Sequence, residues 1–243
     1  EVSSHAAALD RISGVDFAVA VFTNLQWDHL DFHHTMEEYL AAKARLFEPG
    51  RARKGIINID DEWGRKLAST VAIDSQTVST LPDAELAADW KVTWADIGLD
   101  GVGSRFRFTD PEGAEHAAES PLPGLVNVSN AMVAIAAAHA AGVPLDKAIA
   151  GVASAHGVPG RMERVVERSD VDPLAIVDYA HTPDALELAL RGVRPITPGK
   201  LILIFGSDGD RDRGKRPVMG EIAARLADVI VLTDENQRSE EPA

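Results

Sequence analysis

The order of apolar and polar positions gives the chain two different rhythms. In the first part, Phe17–Thr23 is a short, continuous, β-rich apolar run and predicts a buried strand. A polar, histidine-rich stretch follows from Asn24 to His34. From Thr35 to Phe47, Met36, Tyr39, Leu40, Leu46 and Phe47 share one face at about 100° per residue, which predicts a helix. Thr35 and Glu38 are spaced as its capping box. Gly55–Ile59 predicts a short strand, and Asp60-Asp61 opens a helix through Ala68. The alternation over Lys91–Asp110, with Gly101 and Gly103 as turn signals, predicts antiparallel strands. Asn127–Ala141 is an Ala-rich helix stopped by Gly142, and Pro144–Ser154 is another helix.

Gly157-Val158-Pro159-Gly160 interrupts both periods and is the best linker, which divides the chain into domains at 1–157 and 158–243. Beyond it, Leu174–Asp178, Lys200–Gly206 and Val229–Thr233 read as strands, and Pro183–Val193 and Arg216–Leu226 as helices. Strand–helix alternation of this kind predicts βαβ units and a parallel sheet, so the fold class is α/β.

Composition narrows the picture. A length of 243 residues suits one or two domains. With 45% hydrophobic and 26% charged residues the chain can bury a core, which argues against disorder. The formal charge of −14 argues against nucleic-acid binding as the main task, since phosphate backbones attract a basic face. The absence of cysteine rules out a disulfide scaffold and thiolate metal sites. No apolar run reaches the roughly 18 residues of a membrane span. The chain opens at Glu1 without Met or a signal-peptide pattern, which predicts an internal piece of a longer protein.

Five segments carry candidate chemistry. Thr23–His34 follows a strand end, where α/β proteins place ligand groups. Its Asp28, His29, Asp31, His33 and His34 could ligate a metal, or could cap backbone groups in an ordinary polar loop. Lys43 falls in the middle of the apolar stripe of its helix, where an ammonium is costly unless paired, modified or functional. A snorkelling stem is the plainer account, but mid-stripe placement gives the ammonium no short path to water.

Gly206–Arg216 follows an apolar strand and opens a helix. Arg211, Arg213, Lys215 and Arg216 make it a local positive site, or a salt-bridged loop with Asp208, Asp210 and Asp212. It lacks the order of a Walker A loop. Asp178, at another strand end, could bind a ribose hydroxyl or cap the next helix. Asn127 fits an N-cap, and Asn130 lies one turn in on the same face.

The order of these segments is specific: Glu1-Val2-Ser3-Ser4-His5, TNLQWDHLDFH, AAKARLF, Asn127 to Asn130, Pro159–Arg164, VDYAHTPDAL, GDRDRGKRP and Glu235–Glu240. Over essentially its whole length the chain resembles the Mur ligases, and among them the MurE type. The resemblance implies part of a central ATPase domain followed by part of a Rossmann-like C-terminal domain. It places a nucleotide-sugar domain and a Walker A loop upstream of Glu1.

The activity it implies is ATP-dependent amide formation in cytoplasmic peptidoglycan precursor synthesis. The D-glutamyl carboxylate of UDP-MurNAc-L-Ala-D-Glu attacks the γ-phosphate of ATP. The amine of meso-diaminopimelate then displaces phosphate from the acyl phosphate. By motif match, Glu1 and His29 would bind Mg²⁺ and Lys43 would carry a carbamate, whose anionic oxygens suit a hard cation. Ser3 and Arg11 match substrate-binding positions. Asn127, Asn130, Arg161 and Asp178 fall in nucleotide-binding segments, and Arg211 matches a contact to the incoming diamino acid.

Glu235-Asn236-Gln237-Arg238 lies where the diaminopimelate enzymes carry Asp-Asn-Pro-Arg. Arg238 can pair bidentately with a distal carboxylate that L-lysine lacks. Four departures stand out. Gln237 replaces proline, Trp27 stands where arginine is common, Ala7 replaces a usual leucine, and Ser207-Asp208 replaces a Cys-Gly pair, adding negative charge near an anion site. The alternatives are a ligase for L-lysine or another third residue, a folylpolyglutamate synthase, or a metal-dependent phosphoesterase with ligands gathered around His29, His33 and His34. A non-catalytic nucleotide-binding module is a further one.

Overall fold

A computed structural model describes residues 1–97 and 103–241. The chain divides into two compact units, Glu1–His156 and Gly157–Ala243. Gly101, read above as a turn signal, lies outside the described residues.

In the first unit, α1 (Ser4–Ala8) precedes β1 (Phe17–Phe22). The short α2 (Leu30–His33) and α3 (Met36–Ala44) lead to β2 (Ala52–Asn58), then α4 (Glu62–Ala68), β3 (Asp74–Ser79), β4 (Trp90–Asp96), β5 (Ser104–Thr109) and β6 (Glu115–Ser120). Two helices close the unit, α5 (Leu125–Ala140) and α6 (Leu145–Ala153). The strands form one sheet in sequence order. β1 to β4 pair in parallel, and β4, β5 and β6 pair antiparallel.

Successive side chains of a strand point to opposite faces, and both faces of the central strands are buried. Ile56 faces Val78, Trp90, Phe106 and Phe108 under α5 and α6, which contribute Met132, Ile135 and Ala148. Ile57 faces the other way with Ala20 and Phe22, under Tyr39 and Leu40 of α3 and Leu67 of α4. Each of the Ile, Leu, Val, Phe and Met side chains among them contributes roughly 1.5–3 kcal/mol by leaving water. β3 and β6 are absent from the sequence reading because their segments, DSQTVS and EHAAES, carry no apolar alternation.

Helix ends position the rest. Asp61 caps α4, its Oδ1 accepting the Gly64 amide at 2.6 Å. A Cβ at Gly64 would stand 1.9 Å from the Asn58 carbonyl oxygen, so glycine is what lets α4 lie directly on the end of β2. α5 starts at Leu125 behind Gly124, whose φ is +100°. This corrects the expected cap: Asn127 sits inside the first turn, its Nδ2 donating to the Pro123 carbonyl at 2.8 Å.

In the second unit, β7 (Glu163–Val166) pairs antiparallel with β8 (Ala175–Val177), and after α7 (Pro183–Val193) comes β9 (Ile202–Phe205). After α8 (Lys215–Leu226), β10 (Val229–Leu232) pairs in parallel with β9. The expected parallel pairing thus holds for β9 and β10, while β8 turns to β7, a strand too short and mixed to show a period. α7 and α8 bury Leu186, Leu190, Met219 and Ile222 against Leu203 and Phe205.

Candidate active site

Lys43 lies on the stripe of α3 as its spacing requires. Thr35 caps that helix, accepting the Glu38 amide at 3.1 Å. The capping box is only half made, because the Thr35 amide donates instead to the His33 carbonyl at 2.7 Å. Lys43 Nζ stands 5.2 Å from the centre of the Tyr39 ring, one helical turn away. Burial holds its pKa below the usual lysine value, against the opposing pull of Glu1 and Asp28. Burial first, and Asp28 second, push Tyr39 up to about 12. Glu1, Asp28 and Lys43 therefore share one electrostatic neighbourhood, and Lys43 also acts on His29.

His29 and His34 bracket α2 in left-handed backbone, φ +56° and +63°, a strain that sits beside this neighbourhood. Asp28 Oδ1 accepts the His29 amide at 2.9 Å, and its Oδ2 lies 3.4 Å from His29 Nε2. Burial lowers the His29 pKa despite the nearby carboxylate. The His5 ring packs 4.9 Å from His29 and 5.6 Å from His33.

His33 takes a different part. It is 4% exposed, its Nε2 is 2.8 Å from Ser4 Oγ, and it stacks on Tyr39 at 5.0 Å. His33 thus fastens α2 to α1 and α3, and His34 points into solvent. Among the described residues no three His, Asp or Glu side chains group as a metal site. Within the Asp28–His34 loop, His33 is thus held by Ser4 and Tyr39 rather than offered to an ion.

The remaining expected residues of this unit lie on its surface. Ser3 caps α1, its Oγ accepting the Ala6 amide at 3.1 Å, and Arg11 is exposed. Asn130 is exposed on α5, one turn below Asn127. Between them Ser129 Oγ accepts from Asn58 Nδ2 at 2.9 Å and ties α5 to the end of β2.

In the second unit, Arg161 and Asp178 meet around one turn. The Arg161 guanidinium lies 4.8 Å from the centre of the Tyr179 ring. Asp178 accepts the Met162 amide at 2.8 Å and the Ala180 amide at 2.9 Å. Glu163 accepts the Gly160 amide at 2.7 Å. Asp178 does not cap α7, since Thr182 does.

The loop after β9 and the segment after β10 are sewn together. Asn236 and Arg238 both donate to Asp208, at 2.9 and 3.2 Å. The Gly209 amide donates to the Asn236 carbonyl at 2.7 Å, and a Cβ at Gly209 would stand 2.0 Å from the Gln237 oxygen. Ser239 donates its amide to Asp210 at 3.0 Å. Glu240 takes Arg216 at 2.8 Å and Arg213 at 3.2 Å, and the Arg216 hydrogen bond leads in holding its pKa down at about 2. Lys215 Nζ donates to the His181 carbonyl at 2.8 Å. The expected positive site is thus largely spent internally. Arg211 and Glu235 stay exposed, and the charge of Arg211 acts on Asp208.

A family model of the Mur ligase middle domain matches residues 1–138, and one of the Mur ligase glutamate ligase domain matches residues 160–243. The chain belongs to the Mur ligase family. Over 100% of its length it is 47% identical to the UDP-N-acetylmuramoyl-L-alanyl-D-glutamate--2,6-diaminopimelate ligase of Streptomyces coelicolor, of which it covers 47%. It is 50% identical to the protein of that name from Synechococcus elongatus, covering 48% of it. A solved structure of a ligase of that name is 36% identical, with a TM-score of 0.69, over 99% of this chain and 48% of that one. The chain spans about half the length of the curated relatives it matches.

Within this Mur ligase chain, sequence reasoning missed His5, Tyr39, Glu163 and the pairing role of Asp208. Tyr39 carried a signal, being four residues before Lys43. His5 stood in the first family motif, but its approach to His29 depends on how α1 and α2 fold together and left no local signal.

Proposed function

We propose that the chain is the central and C-terminal part, joined near residues 157–158, of a ligase that adds meso-diaminopimelate to UDP-MurNAc-L-Ala-D-Glu at the expense of ATP. The observation that carries this is the identity of 47–50% over the whole chain to ligases of that name. The conversion links two anions and then moves charge through an acyl phosphate, so positioning and cationic groups do most of the work.

Lys43 is the residue the proposal most depends on. Its lowered pKa leaves more neutral amine at a given pH, and a neutral amine is the form that adds carbon dioxide. As a carbamate it offers oxygens, where an ammonium offers only donors. Among the described residues no three acidic or histidine side chains group, and a carbamate on Lys43 would add the anionic oxygens that Mg²⁺ prefers. Glu1, His29 and carbamylated Lys43 would then hold the ion, which when bound supplies positive charge to phosphate oxygens.

The other assignments follow the family motifs. Ser3 and Arg11 are read as contacts to the nucleotide-sugar peptide, and Asn127, Asn130, Arg161 and Asp178 as nucleotide contacts. The Arg161–Tyr179 pair offers a flat cationic surface suited to such a ligand. Arg211, Glu235, Asn236, Gln237 and Arg238 are read as the binding loop for the diamino acid.

Tripeptide formation tests the reading. A full-length ligase carrying this chain should convert UDP-MurNAc-L-Ala-D-Glu only with ATP and a diamino acid both present. Phosphate-ester hydrolysis without any amino acid would contradict it.

A further inference from the structure

We propose that Asp208 is a specificity-determining residue that narrows the preference of the diamino-acid site for a distal carboxylate over a bare distal ammonium. This rests on the ligase reading above. The carboxylate sits between the two side chains assigned to the incoming amino acid, accepting Asn236 Nδ2 at 2.9 Å and Arg238 Nη2 at 3.2 Å. It cannot easily withdraw, because the adjoining Gly209 amide is bonded to the Asn236 carbonyl at 2.7 Å.

Neighbouring acids are otherwise engaged. Asp210 takes Ser239 and Glu240 takes Arg213 and Arg216. The Arg238 and Asp208 side chains are 41% and 27% exposed, so a ligand can reach the pair.

The chemistry follows from charge. A guanidinium has five N–H donors, and Asp208 engages one of them, so Arg238 retains donors for a second carboxylate. The site therefore presents a cation beside an anion. Diaminopimelate ends in a carboxylate and an ammonium on one carbon, whereas lysine ends in an ammonium alone. Arg238 attracts the carboxylate and repels the bare ammonium. Asp208 does the reverse, so it offsets part of the discrimination that Arg238 creates.

The test is Asp208→Asn in a full-length ligase carrying this chain, a substitution that keeps an acceptor for Asn236 and removes the charge. The ratio of kcat/KM for meso-diaminopimelate over L-lysine should rise about threefold to tenfold, as loss of one partly exposed charge allows. The change should appear in the KM of the amino acid, with kcat and the KM for ATP unmoved, and should shrink at high salt. If Asp208→Asn does not fold, Asp208→Ser serves with the same expected rise. An unchanged or lowered ratio beside an active wild type overturns this inference and leaves the ligase reading standing. A wild type without amino-acid-dependent phosphate release overturns both.

Discussion

The ammonium of Lys43 stands 5.2 Å from the centre of the Tyr39 ring, on the buried stripe of the same helix. A cation there is stabilised by the ring and by two carboxylates, yet burial still wins and lowers its pKa. Unmodified Lys43 therefore costs the fold something at neutral pH, because the charged form must be held where it is disfavoured. Lys43→Met should raise the melting temperature of this chain by about 1–4 °C, for ~0.5–1 kcal/mol. The same substitution should nearly abolish ligation, and Lys43→Ala should be partly rescued by added short carboxylates. Full activity in either variant would exclude the carbamate role.

His33 makes stability depend on pH. Its folded pKa is lowered, first by burial and then by His5 and His29, so the fold prefers the neutral ring. The stabilisation is therefore fully present above the unfolded pKa near 6.5 and is lost as pH falls through the lower folded value. Urea midpoints measured between pH 7.5 and 5 should decline, and His33→Gln should flatten the decline by removing the titrating ring. An identical slope in the variant would remove His33 from this role.

The loop carrying Asn236 and Arg238 should keep its acid pairing far below neutral pH. Glu240 titrates at about 2, chiefly because Arg216 donates to it. A depressed carboxylate contributes stability above its unfolded pKa of about 4.5, lost as pH falls from there toward the folded value. Its carboxyl carbon shift, followed by NMR, should therefore not titrate between pH 6 and 4. Arg216→Ala should restore a midpoint nearer 4.5. A normal midpoint in the unsubstituted chain would show that the pairing does not form in solution.

Much of this architecture was legible in the chain. α7 is written by Thr182 and Pro183 at its start and an apolar stripe thereafter, and its predicted and observed limits coincide. The stripe around Lys43 showed that a charge would be buried. What could not be read were consequences of three-dimensional closeness. The segment Glu115–Ser120 shows no apolar period because, at the edge of the sheet, its buried face is made by the small Ala118 and Ser120, while Glu119 on the other face pairs with Arg105. His33 looked like a ligand in a histidine-rich loop. Its partner Ser4 lies 29 positions earlier, and no local pattern carries that pairing. Asp208 likewise gave no local sign that its partners would be Asn236 and Arg238, which lie beyond a helix and a strand.

The central claim is that this loop serves the addition of a diamino acid with a distal carboxylate. The most direct measurement compares phosphate release by a full-length ligase carrying this chain, with ATP and UDP-MurNAc-L-Ala-D-Glu, on meso-diaminopimelate and on L-lysine. A higher kcat/KM for meso-diaminopimelate is predicted, with Arg238→Ala lowering it at least tenfold, as expected for the loss of a charge-assisted pair of roughly 1.5–3 kcal/mol. Equal or greater turnover of L-lysine would contradict the account.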